Sequence, residues 1–161
     1  MASDIEPLGG DPTTGGMFIF EVDGVEIGTF REVRGLELTV DVETYTEGGQ
    51  NQYVHKLPGT LHWPNLVFSR GMVESDALFT WVSNSSGENF AANGNKVTRS
   101  TGAVTAVTSE GKRLRAWEFD QVFAVRWTGP EFHVGSNEQL VEQLEVAHNG
   151  FRAKTTNTPA P

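Results

Sequence analysis

Between residues 36 and 44 apolar and polar positions alternate in a steady phase. Leu36, Leu38, Val40 and Val42 fall on one side, and Glu37, Asp41 and Glu43 on the other. A period of two predicts a strand with one apolar and one acidic face. The run "MFIFEVDGVEIGTF" predicts a hairpin: Phe18, Phe20 and Val22 alternate with Ile19 and Glu21, and Val25 and Ile27 begin the return strand. Asp23-Gly24 between them supplies the two positive-φ positions of a type I′ turn. A further strand is centred on residues 66–68, with a bulge or sheet edge at Pro64, which has no amide proton for a ladder.

In "ESDALFTWVSNSSG" the period changes. Ala77, Leu78, Trp81 and Val82 share a face at helical spacing, with Ser75 placed as N-cap and Gly87 as stop. Residues 88–96 read as a loop. Two strands follow, "VTRSTGAVTAVTS" and "KRLRAWEFDQVFAVRW", joined by a turn at residues 109–111. In the second, Trp117, Phe119, Phe123, Val125 and Trp127 share one face with Gln121, the heaviest apolar stripe in the chain. The last periodic run, "NEQLVEQLEVAHNGF", fits a helix through Leu140, Val141, Leu144 and Ala147, and a strand through Leu140, Leu144 and Val146. Periodicity leaves both open. Residues 1–16 and 153–161 lack periodicity and read as flexible arms around one β domain at residues 17–152.

With 161 residues and no cysteine, the chain has single-domain length, and such a domain buries roughly 70% of its unfolded surface without disulfides. The formal net charge of −9 argues against a grip on nucleic-acid phosphates. No apolar run reaches the ~18 residues of a membrane-spanning helix, and the polar, acidic N-terminus does not resemble a signal peptide.

Candidate chemistry is sparse. His55, His62, His133 and His148 show no close metal-binding spacing, and His148 beside Glu145 reads as a polar edge position rather than an acid–base pair. Glu21, Asp23 and Glu26 are acidic neighbours, but Asp23 serves the turn and no calcium loop surrounds them. No nucleophile elbow or phosphate loop is present. The expectation is a protein without catalytic centre, metal or cofactor. On physics alone, the acidic strand face reads as solvent-exposed.

The motifs in order are more specific than any one of them. Phe30-x-Glu32-Val33-x-Gly35-Leu36, then Glu47-Gly48-Gly49-x-Asn51, Lys56-Leu57-Pro58-Gly59 and Arg70-Gly71 precede the Trp81 helix, "RAWEF", "VRWTGPEF" and "NEQLVEQLEVAHNGF". In this order they resemble the tail tube proteins of contractile-tailed phages and the inner tube proteins of extracellular contractile injection systems, over about residues 17–152.

The resemblance implies a mainly β fold: a small β-barrel or sandwich with one flanking helix, in which 139–148 is a strand. Six copies close into a ring, and rings stack into a hollow tube that a contracting sheath drives through a target envelope. It also implies a ring-stacking loop over residues 46–59, carried by Thr46, Glu47, Gly48, Gly49, Gln50, Asn51, Lys56, Leu57, Pro58 and Gly59. In that loop Gly48 and Gly49 widen the accessible backbone, and Pro58-Gly59 turns the chain back into the sheet. The strand before the loop would lie in the channel-lining sheet, with Glu37, Asp41 and Glu43 as candidate lumen face. Six copies carry −54, six times −9, a bore that repels anionic cargo at short range. Neighbouring copies would consume each other's sheet edges. Implied partners are the sheath, a baseplate or tube initiator, a tape-measure protein, and lumen cargo, either protein effector or DNA. The implied location is a phage tail or tail-like particle assembled in the bacterial cytoplasm, without membrane anchor. The competing reading is a stand-alone β-barrel that encloses a small ligand.

Overall fold

A computed structural model describes residues 16–49, 51–86, 92, 94, 99–135 and 140–154. The elements in chain order are β1 (Met17–Val22), β2 (Val25–Phe30), β3 (Glu32–Arg34), β4 (Thr39–Tyr45), β5 (His55–His62), β6 (Leu66–Gly71), α1 (Ala77–Ser86), β7 (Ser100–Val107), β8 (Arg113–Thr128), β9 (Val141–Ala147) and β10 (Phe151–Lys154). The final periodic run is therefore a strand, as the family resemblance implied. β10 extends through Ala153 and Lys154, which pair with Trp117 and Ala116, so the β domain runs two residues into the segment read as a tail.

The β1–β2 hairpin forms where the Asp-Gly pair placed it. Asp23 has φ 51° and Gly24 φ 80°, and Val22 faces Val25 across the turn. Asp23 also fastens the turn to β7. Its amide donates to Thr101 O at 2.9 Å, and its Oδ1 accepts from the Thr101 amide at 3.0 Å.

The main sheet runs β2-β1-β7-β8-β9-β6-β3, with β10 beside β8. Its two ends, β2 and β3, are consecutive segments joined through Arg31. The Arg31 amide donates to Ser69 O at 3.0 Å, and β3 then pairs β6. The ladder stays open, but the chain bridges its two edges and the sheet curls around one core. Phe20, Phe30, Leu66, Phe68, Val104, Phe119, Val122, Leu144 and Val146 fill that core, with Leu78 of α1 laid over it. Phe68 lies 4.6 Å from Phe20 and 4.9 Å from Phe30, centroid to centroid, and Trp81 meets Phe20 edge-on at 5.6 Å.

Helix α1 begins just after Ser75, whose Oγ lies 3.5 Å from the Ala77 amide. Leu78 is buried, Trp81 and Val82 are half-buried, and Ala77 is exposed, so the helical face is narrower than the sequence suggested. The proposed stop at Gly87 lies outside the described residues, as does most of the 88–96 loop.

The apolar stripe of β8 is not one row. Gln121 takes φ 54°, and pairing to β9 slips between Ala124 and Arg126. Each irregularity shifts the alternation. Phe119, Val122 and Ala124 are buried, whereas Val125 is 44% exposed. Pro64 lies between β5 and β6, outside both strands.

Candidate assembly surface

Among the described residues, β4 and β5 pair only with each other, in a two-stranded sheet apart from the main one. The residue 36–44 strand, expected in the channel-lining sheet, thus lies with β5 in a hairpin apart from the main sheet. The register sets Thr39 opposite His62, Val40 opposite Leu61, Val42 opposite Pro58, Glu43 opposite Leu57, Thr44 opposite Lys56 and Tyr45 opposite His55. Lys56, Leu57, Pro58 and Gly59 are therefore strand residues, which corrects their reading as loop residues. Pro58-Gly59 does not turn the chain. Between the Val40 and Val42 pairs, Gly59 and Thr60 together face Asp41, a bulge on β5. A Cβ on Gly59 would sit 3.2 Å from Asp41 O, so the close strand approach favours glycine there.

The loop proper, residues 46–54, forms the hairpin tip, with Thr46, Glu47, Gly48, Gly49 and Asn51 all exposed. Gln50 lies outside the described residues. His55 is the hub of the tip: Glu47 Oε2 lies 3.3 Å from its Nε2, and Tyr53 meets its ring edge-on at 5.1 Å.

The two-faced pattern read from the sequence survives in this hairpin. Alternation and register place Val40, Val42, Pro58 and Leu61 on one face, with Thr44 and Lys56 at its end toward the tip, and Asp41, Glu43, Leu57, Tyr45, His55 and His62 on the other. Asp41 Oδ2 lies 2.7 Å from His62 Nε2 across the acidic face. Glu37 precedes β4 in phase with Asp41 and is exposed. Among the described residues nothing buries the apolar face: Val42 is 61% exposed and Leu61 51%. A contiguous apolar face with open strand edges on both sides is the form of an interaction surface rather than of a finished domain.

The sequence matches the T4-like virus tail tube protein gp19 family over residues 16–152. The chain belongs to that family. No curated protein matches this tail tube family member in sequence. Solved structures agree on its fold. A chain of the sheath–tube complex of the PVC extracellular contractile injection system is 24% identical, with 89% of this chain and 92% of that chain covered and a TM-score of 0.72. A chain of the anti-feeding prophage tube-terminating cap is 23% identical, with coverage of 96% and 99% and a TM-score of 0.73. A type six secretion system protein is 13% identical, with coverage of 85% and 82% and a TM-score of 0.52.

The ligand-enclosing barrel finds no support. The space such a ligand would need is filled by Phe20, Phe30, Phe68 and Phe119, each no more than 1% exposed.

Sequence reasoning missed two buried polar groups. Arg70 of β6 donates through Nε to Glu142 of β9, with 6% and 7% of each residue exposed, and its guanidinium lies 5.3 Å over the Phe30 ring. The second is His148, read as an edge position but 7% exposed and hydrogen-bonded on both ring nitrogens. Neither has a local signature, because the partners come from distant strands.

Proposed function

We infer that this tail tube protein is the repeating wall subunit of a contractile particle: six copies close a ring, and rings stack into a hollow tube. The single observation that carries this reading is the β4–β5 hairpin, whose apolar face and both outer edges have no cover among the described residues. The curled main sheet completes its own core, so borrowing from neighbours is a property of the hairpin. Laying Val40, Val42, Pro58 and Leu61 on an adjacent copy buries apolar surface and pairs open edges in one step. A head-to-tail contact of this kind closes a ring when its rotation permits and repeats along an axis when it stacks.

The tip residues Thr46, Glu47, Gly48, Gly49, Gln50 and Asn51 then serve the contact between rings, with Lys56, Leu57, Pro58 and Gly59 as the strand that carries them. The opposite face, Glu37, Asp41 and Glu43, is free to line the bore. A sheath around the tube and a baseplate or initiator beneath it follow from this reading. The fold shared with chains of a sheath–tube complex and of the anti-feeding prophage baseplate supports both. A tape-measure protein setting length, protein or DNA cargo, and cytoplasmic assembly complete it.

The test is a Val42→Asp/Leu61→Asp double variant made in the cell that produces the particle. Expected are a soluble chain with near wild-type melting and no tubes by negative-stain microscopy. Tubes of normal length built from the variant would overturn the reading.

A further inference from the structure

Residues 63–65 link β5 to β6 and so form the root of the hairpin. At this root the His148 ring sits between two backbone groups. The Gly150 amide donates to its Nδ1 at 3.1 Å, and its Nε2 lies 3.0 Å from Pro64 O. An amide nitrogen only donates and a carbonyl only accepts, so both bonds hold only for the neutral ring with its proton on Nε2. Phe119, Phe151 and Trp63 surround it, with ring centroids at 5.0, 6.1 and 6.2 Å. Trp63 also packs on Gly150, where an added Cβ would lie 3.3 Å from the indole.

The charged groups on the surrounding elements are engaged elsewhere. Glu118 and Asp120 of β8 hold Arg152 of β10 at 3.4 and 3.3 Å. Glu145 of β9 faces Arg126 at 3.7 Å and accepts from Asn65 at 2.9 Å. On β5, His62 is taken by Asp41. Burial pushes the His148 imidazole below its usual value, outweighing the Pro64 carbonyl, which favours a proton on the ring.

We propose that His148 is a proton-operated latch at the root of the hairpin: neutral, it ties Pro64 to the β9–β10 turn, and protonated, it releases it. A proton on Nδ1 would face the Gly150 N–H, replacing a hydrogen bond with two opposed donors. It would also leave a cation in an apolar nest with no free counter-charge among the described residues. The ring must then swing outward, freeing Pro64 O and the Gly150 amide together. Resting on the tube reading above, acid would loosen each subunit's contact arm. The latch itself is tested on the isolated chain.

The experiment is amide hydrogen exchange and imidazole NMR on the full chain from pH 8 to pH 5. After correction for intrinsic exchange, opening at Gly150 and over residues 63–66 should grow by up to about tenfold per pH unit below about 6.5. His148→Gln should remove this acid dependence, and His133→Gln, at an exposed site, should keep it. The proposal is overturned if Gly150 protection is flat with pH, if the His148 ring titrates at its ordinary value, or if His148→Gln opens with acid like wild type. Should His148→Gln fail to fold, the wild-type ring decides. An Nε2–H tautomer that persists below pH 6 and disappears together with Gly150 protection supports the latch; any uncoupling of the two overturns it. A chain that opens with acid yet forms no tubes in its producing cell would leave the latch standing and remove the tube reading.

Discussion

Arg70 and Glu142 face each other on β6 and β9, buried and charge-paired. Two charges brought out of water gain little net stability as a pair, but either one alone is costly. Glu142→Ala should therefore destabilise the fold by about 3–5 kcal/mol in urea unfolding. Arg70→Met/Glu142→Leu should recover most of that loss, since it leaves no stranded charge. His148 adds a pH term whose sign follows from its lowered folded-state value. The unfolded ring takes up a proton more readily than the folded one, so stability from this group is fully present above the unfolded value near 6.5. It is lost as pH falls toward and through the folded value. Urea midpoints should be insensitive to this ring above pH 7.5 and decline below about pH 6.5. The declining component should be absent in His148→Gln.

Two elements of similar sequence character have opposite fates. β1 and β4 both alternate, yet Phe20 of β1 is 0% exposed and Val42 of β4 is 61% exposed. Phe20 packs against Phe68 and Trp81 and sits at the centre of the core. Phe20→Ala should cost about 3–5 kcal/mol, measured as a lowered unfolding midpoint. Val42→Ala trims a side chain that is mostly exposed in the isolated domain and should leave its melting nearly unchanged. In assembled tubes the same change should lower the temperature or denaturant needed for disassembly. That contrast separates an element that holds the domain together from one that holds subunits together.

At the scale of the whole molecule, the net charge of −9 and the acidic hairpin face bear on the proposed bore and its cargo. At physiological salt, charges farther than roughly 8 Å from a passing surface are largely screened, so only side chains on the bore surface itself would act on a cargo. Converting Glu37, Asp41 and Glu43 to lysine should leave tubes intact, because the apolar face is untouched, while changing the loading of an anionic cargo. Unaltered loading in intact tubes would remove these three residues from the bore. Much of this molecule was legible along the chain. The Asp23-Gly24 turn, the helix over Leu78 and Trp81, and the split of β4 into an apolar and an acidic side all follow from side-chain period and local backbone preference. So does the ordered motif set that marks the family. What the chain alone did not determine is which strand lies beside which. A period of two says that a strand has faces but not what covers them or pairs beside them, so Lys56, Leu57, Pro58 and Gly59 read as a loop although they pair with β4. The Gln121 irregularity depends on partners from elsewhere in the chain: Arg99 and Asn149 hold its side chain at 2.8 and 2.6 Å. The Arg70–Glu142 pair joins residues 72 positions apart, and the His148 bond to Pro64 spans 84. Such contacts exist only once the sheet has curled, because burial and pairing are set by the packed neighbours and not by sequence proximity.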